Sequence, residues 1–212
     1  MVTGAAGSYR GSLMEVHHGF LAIWSGRGLT RLITEFLKSS VGRLRPDFLA
    51  RCRWDPAVQA CTGNADTILN GRRSFPSGHS SAIFASMTFM SLLFAGKTAA
   101  WCYGVSPPHA SFRASKLARF SLTLLPFFCA AWVAISRVED YRHHKEDVIV
   151  GSLIGISVST VCYLMFWPNP FNPRHFTQQR LGRPRLLYTD DDNASRDANF
   201  ELTRHEDELE SV

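Results

Sequence analysis

The stretch Ser136–Asp147, SRVEDYRHHKED, holds the residue types of a phosphoryl-transfer site. It lies between two apolar runs and carries a permanent cation, Arg137, then His143 and, four residues on, Asp147. If the chain is helical from Val148 onward, positions 143 and 147 share a face near the helix start. A carboxylate bonded to one imidazole nitrogen sets the tautomer and leaves the other nitrogen as a nucleophile. The rest of such a centre needs cations, a proton donor and a phosphate-binding turn, and all three stand upstream. Between Lys38 and His79 there are seven Lys or Arg against three acids. Pro76-Ser77-Gly78-His79 then reads as a helix start in which Gly78 permits close backbone approach and His79 supplies a second imidazole.

These segments are held apart by apolar runs. Ser80–Gly96, Phe120–Ser136 and Val148–Trp167 carry no charged residue. The last is 20 residues long and closes on Trp167 and Pro168, as an interface-anchored membrane helix does. Pro126 predicts a kink in the second run. The mean hydropathy of −0.06 hides this segregation, because both ends of the chain are polar. Residues 13–37 have apolar residues at helical spacing interrupted by Glu15, Arg27, Arg31 and Glu35. They read as an amphipathic helix, or as a membrane helix whose charges face a bundle. Residues 55–73, rich in Gly, Asn and polar side chains, read as a loop. The expected architecture is all-α, an integral membrane helical bundle over residues 13–168. A polar, disordered tail is expected over 169–212, basic beside the last span and acidic at its end. No secretory leader pattern is evident over residues 1–12.

The formal net charge of +5 suits a membrane surface or an anionic substrate. Nucleic acid is not an expected partner, since the sequence shows no aromatic-basic interleaving and no zinc-ligand spacing. Of the five cysteines, Cys102, Cys129 and Cys162 read as packing residues. Cys52 and Cys61 flank a short polar segment and can pair if it faces an oxidising compartment, which spacing alone leaves open. With three spans after residue 79, segments 38–77 and 136–147 fall on one membrane face. Arg43, Arg51, Arg53, Arg72 and Arg73 are expected to be solvated or headgroup-facing.

Lys38 with Arg45-Pro46, Pro76-Ser77-Gly78-His79, and Ser136-Arg137 with His143 and Asp147 together resemble the type 2 phosphatidic acid phosphatase family. Its signatures Lys-x6-Arg-Pro, Pro-Ser-Gly-His and Ser-Arg-x5-His-x3-Asp are complete here and in order. GRLRPDF, FPSGHSS and SRVEDYRHH are most similar to the lipid phosphate phosphatase branch. The resemblance implies that Lys38, Arg45, Ser77, Gly78 and Arg137 bind the substrate phosphate. It implies that His143 attacks phosphorus, oriented by Asp147, and that His79 protonates the leaving group. It also implies a multi-pass enzyme with no metal or other cofactor, acting on phosphatidate, diacylglycerol pyrophosphate or lysophosphatidate. The active face would be luminal or extracellular and the tail cytosolic. Members usually have six membrane helices, and the resemblance leads to the expectation that this sequence lacks the first two, as a fragment or a minimal version would. A vanadium haloperoxidase-like enzyme and a non-catalytic lipid- or partner-binding homologue are the rival readings.

Overall fold

The computed structural model describes residues 2–102 and 115–173. Of the disordered tail expected over 169–212, residues 169–173 are described and packed, Pro170 being buried with its carbonyl at Cys102 and Phe171 stacking on Trp101; the remainder lies outside the described residues. Four long helices form the body: α1 (Val2–Val41), α4 (Gly78–Thr98), α5 (Lys116–Glu139) and α6 (Lys145–Phe166). Short helices α2 (Phe48–Cys52) and α3 (Ala65–Gly71) lie between α1 and α4. A two-stranded antiparallel hairpin, β1 (Trp54–Asp55) with β2 (Ala60–Cys61), separates them.

Local chemistry sets the helix starts. Ser77 caps α4, its Oγ accepting from Ser80 N at 3.4 Å, and Ser115 caps α5 in the same way. At α6 the Asp147 carboxylate accepts from His144 N at 3.1 Å. The helix α5 runs on through Pro126.

The helix α4 packs against α1, α5 and α6. Small residues let α4 and α6 approach closely. A Cβ at Gly151 would stand 2.5 Å from Ser77 O, and one at Gly155 would strike the backbone of Ser81 and Ala85. The helix α1 lies along both. Thr34 Oγ1 donates to Ser81 Oγ at 3.0 Å, Gly26 faces Cys162, and Glu15 pairs with Lys97 at the far end. There Ala22, Phe89, Leu92, Tyr163 and Trp167 form the aromatic core.

The distribution of polarity is that of a membrane protein. Ser80, Ser81, Thr88, Ser91, Thr123 and Ser159 are buried, whereas Trp132 is 76% exposed and Phe128 69%. Helices that associate in lipid bury small and hydroxyl side chains and turn large apolar ones outward. The helices α4, α5 and α6 are each long and apolar enough to cross a membrane, and the protein is an integral membrane protein. The charged helix α1 accompanies them, its apolar side chains Phe20, Trp24, Leu32 and Phe36 exposed.

Several expectations need correction. Residues 55–73 are not a loop but hold the hairpin and α3, because Asn64 caps α3 and the Cys52–Cys61 disulfide closes the hairpin base. The pairing that spacing left open is therefore made. Cys102 and Cys162 are buried, but Cys129 is exposed on α5 and packs against nothing inside.

Candidate active site

The C-terminal ends of α1 and α5 and the N-terminal ends of α4 and α6 meet at one end of the bundle, beside α2, the hairpin and α3. Two backbone links tie these segments together. Ser77 N donates to Asp147 O at 2.8 Å, and Ser74 N donates to Arg43 O at 2.9 Å.

His143 is 3% exposed. Its Nδ1 lies 2.8 Å from Ser74 O. A carbonyl only accepts, so Nδ1 carries the proton and Nε2 keeps the lone pair. Burial, with the charge of Arg45, lowers its pKa from 6.5 to about 4, against the opposing pull of Asp147 and of the Ser74 bond. The ring is therefore neutral at physiological pH, as a nitrogen nucleophile must be.

Asp147 does not do what its spacing implied. Its Oδ2 stands 3.8 Å from His143 Nδ1, beyond hydrogen-bond reach. The carboxylate is fully buried and instead accepts from Ser74 Oγ at 2.5 Å and Arg43 Nη1 at 2.9 Å. Spacing of four on a helix brings two side chains near each other, but the chain crossing from residues 43–74 offers better-aligned donors. Asp147 thus acts on His143 through Ser74, whose hydroxyl holds the carboxylate and whose carbonyl holds the ring. Arg43 is correspondingly not a solvated surface arginine. Arg73 reaches Glu35 at 2.9 Å and Arg51 reaches Asp47 at 2.8 Å. Ser74 escaped sequence reasoning because a main-chain carbonyl leaves no mark in residue type. The signal for Arg43 was its place two residues before Arg45, inside GRLRP.

The other cations surround the histidines. Lys38 Nζ lies over Gly78, where a Cβ would come within 2.8 Å of it. Arg45 is held by Asn70 O at 3.0 Å and Arg142 O at 3.4 Å. Burial, with Arg51 nearby, pulls its guanidinium below the ordinary value, yet it stays charged at neutral pH. Arg137 bonds Ser136 Oγ at 3.1 Å and pairs with Asp140 at 3.1 Å. The charges of Arg137, Lys38 and Arg45 all act on His79. His79, Lys38 and Gly78 line one cavity of about 770 Å³. Ser77, expected to bind the substrate phosphate, is instead fully buried as the α4 cap, with its N–H given to Asp147 O and its Oγ accepting from Ser80. Among the described residues, no group of three His, Cys, Asp or Glu could hold a metal ion.

The PAP2 superfamily model matches residues 20–171. The chain belongs to the PAP2 superfamily. PAP2 relatives include lipid phosphate phosphatase 2 of Arabidopsis thaliana, 37% identical over 172 residues, covering 77% of this chain and 56% of that protein. Diacylglycerol pyrophosphate phosphatase 1 of Saccharomyces cerevisiae is 36% identical, covering 69% of this chain and 51% of that protein. Phospholipid phosphatase 2 of Homo sapiens is 33% identical, covering 77% and 58%. This PAP2 chain spans about half the length of the curated relatives it matches. No solved structure matches it significantly.

Two results are expected from this geometry. If Lys38 binds a substrate phosphate, as the family signatures imply, Gly78→Ala should lower kcat/KM for a phosphate ester by roughly tenfold or more, because the new methyl displaces the Lys38 ammonium. Its thermal stability should hardly change, since Lys38 is flexible and alanine suits a helix start. Unchanged kinetics would remove Lys38 from the site. The second result concerns pH. The depressed pKa of His143 means that the unfolded chain binds its proton near pH 6.5 and the folded chain only near pH 4. His143 therefore stabilises the fold fully above about pH 6.5, and this contribution is lost as pH falls toward 4. The unfolding temperature of the wild type should drop across that window more steeply than that of His143→Gln.

Proposed function

We propose that this chain is a lipid phosphate phosphatase that hydrolyses phosphatidate, diacylglycerol pyrophosphate or lysophosphatidate through a phosphohistidine on His143. The observation that carries this reading is the His143 ring itself. It is neutral, its Nδ1–H is held by Ser74 O, and Nε2 is left with its lone pair on a ring that feels the charges of Arg45 and Lys38. A phosphate monoester is a dianion whose transition-state charge spreads over three equatorial oxygens. Lys38, Arg45 and Arg137 meet that charge, with the backbone N–H of Gly78 at the start of α4; the N–H of Ser77 is already given to Asp147 O.

In the first step the Nε2–P bond forms and the P–O ester bond breaks. His79 protonates the departing alkoxide. In the second step His79 takes a proton from water, which attacks phosphorus and releases phosphate, restoring the imidazole. Permanent cations serve here in the role a divalent ion has in other phosphatases.

The outward-facing apolar helices favour a lipid substrate over the soluble substrates of a haloperoxidase-like enzyme. The Cys52–Cys61 disulfide lies at the site's end of the bundle. Disulfides persist in oxidising compartments, which supports a luminal or extracellular active face and a cytosolic tail.

The test is phosphate release from detergent-dispersed phosphatidate in excess EDTA. Full activity is expected. Loss of activity in EDTA would overturn the metal-free mechanism, and an inactive wild type would favour a non-catalytic lipid-binding homologue.

A further inference from the structure

The cavity beside the phosphate-binding cations extends well past them. It runs down the groove between α1 and α4, from Lys38, Gly78 and His79 to Arg27 and Trp24. At ~1.5 Å per residue, the span from Trp24 to Lys38 makes it about 21 Å long. His79, the proton donor of the proposed mechanism, lines it; His143 is not among its lining residues. In-line displacement sets the leaving group opposite the nucleophile, so this cavity lies on the leaving-group side.

Its charges are unbalanced. Arg27, Arg31 and Lys38 line it against one acid, Glu35. Both carboxylate oxygens of Glu35 are already engaged, one by Lys38 at 3.0 Å and the other by Arg73 at 2.9 Å. Arg31 makes no hydrogen bond or ion pair among the described residues, although its charge reaches Glu35. Arg27 makes one bond, to Ser86 Oγ at 3.2 Å. An arginine at membrane depth calls for a counter-charge. Thr30 is an independent sign of a ligand. It lines the cavity, is 1% exposed, and its Oγ1 has no partner. A helical threonine can return its hydroxyl to the carbonyl one turn back; this one is left to donate elsewhere.

We propose that Arg31, Arg27 and Thr30 form a second anion subsite that holds the leaving-group side of the substrate and makes the enzyme favour lipid diphosphates over monophosphates. This deepens the proposed phosphatase reading and rests on it. On a lipid diphosphate, His143 Nε2 bonds to the terminal phosphorus as the bond from that phosphorus to the bridging oxygen breaks. The electron pair stays on the leaving phosphate, where Arg31 and Thr30 receive the new charge. No proton from His79 is needed, because a phosphate is a far weaker base than an alkoxide. Water then cleaves the N–P bond as before.

The test compares the full chain with Arg31→Ala, Arg31→Lys and Thr30→Val in mixed micelles. Binding is measured for two non-hydrolysable diacylglycerol analogues, one ending in methylenediphosphonate and the other in a single phosphonate. Arg31→Ala should weaken the diphosphonate roughly tenfold and the monophosphonate by less than about threefold, the difference a charge-assisted hydrogen bond makes. Arg31→Lys should restore most of the loss, and Thr30→Val should shift the same ratio by about threefold. In hydrolysis, Arg31→Ala should lower kcat/KM for diacylglycerol pyrophosphate far more than for phosphatidate. Equal weakening of both analogues, no change in either, or a loss of thermal stability shared by Arg31→Lys would overturn the subsite and make these arginines partners of another helix. A wild type that discriminates between the analogues but hydrolyses neither substrate keeps the subsite and sinks the phosphatase reading. Phosphatidate hydrolysis with an unaltered ratio in Arg31→Ala does the reverse.

Discussion

Replacing His143 with Asn should cut phosphate release by at least about 10⁴-fold, the scale on which loss of a covalent nucleophile is felt, while the protein stays folded. Asparagine suits this test because its amide N–H can take over the bond to Ser74 O, so the buried carbonyl keeps a donor. What it cannot supply is a lone pair equivalent to Nε2. The remaining cations would still bind the phosphate, so substrate affinity should change little. Rapid acid quench after mixing with a labelled lipid phosphate offers a second check. An acid-labile phosphoryl group should be trapped on the wild type and not on the variant. A variant that retains a tenth or more of wild-type turnover would transfer the nucleophile's role elsewhere.

Asp147→Ala should be the most damaging change to the fold near the site, costing ~3 kcal/mol, as hydrogen bonds to a buried charged group contribute ~1.5–3 kcal/mol and are not additive. The carboxylate is fully buried and meets Ser74 Oγ, His144 N and Arg43. Arg43 is 37% exposed and can turn to water; the hydroxyl of Ser74 and the amide at the start of α6 have no such recourse. Activity should fall too, by about 10²-fold, because the Ser74 carbonyl that orients His143 is no longer pinned and small misplacements are costly. Asp147→Asn, which can still accept from His144 N, should lie between. Arg43→Ala should lower kcat measurably without changing the substrate it prefers. If it leaves kcat at the wild-type value while Asp147→Ala does not, the line from Arg43 through Asp147 and Ser74 to His143 is wrong.

Much of the bundle was legible because membrane helices announce themselves by length and by freedom from charge. The three charge-free runs coincide with α4, α5 and α6, the third passing the end of its helix by one residue, Trp167; each helix starts a few residues earlier, and α4 and α5 also end later, because charged or polar ends such as Lys97, Lys116 and Lys145 tolerate the interface. The helix α1 was less clear. Its Glu15, Arg27, Arg31 and Glu35 mask a span in any hydropathy average, and tertiary contacts such as Glu15 with Lys97, Arg27 with Ser86 and Thr34 with Ser81 show it lying along α4. The hairpin and α3 were missed because a two-residue ladder and a seven-residue helix hold too few residues to show a period, and their geometry leans on a disulfide and a cap.

Residue types and their order, read through the alternation of spans, led to the expectation that Lys38, Arg45, His79, Arg137 and His143 gather on one side, since each crossing of a bilayer reverses direction; in the structure the segments that carry them meet at one end of the bundle. The partner of each side chain was decided only by the folded structure. Asp147 turned from the imidazole four residues before it to Arg43 and Ser74, which are distant in sequence, and His143 turned to a main-chain carbonyl. Spacing along a helix fixes which groups are near, but a buried carboxylate goes to the best-aligned donors that tertiary packing brings within reach, and these came from a segment whose path no periodicity describes.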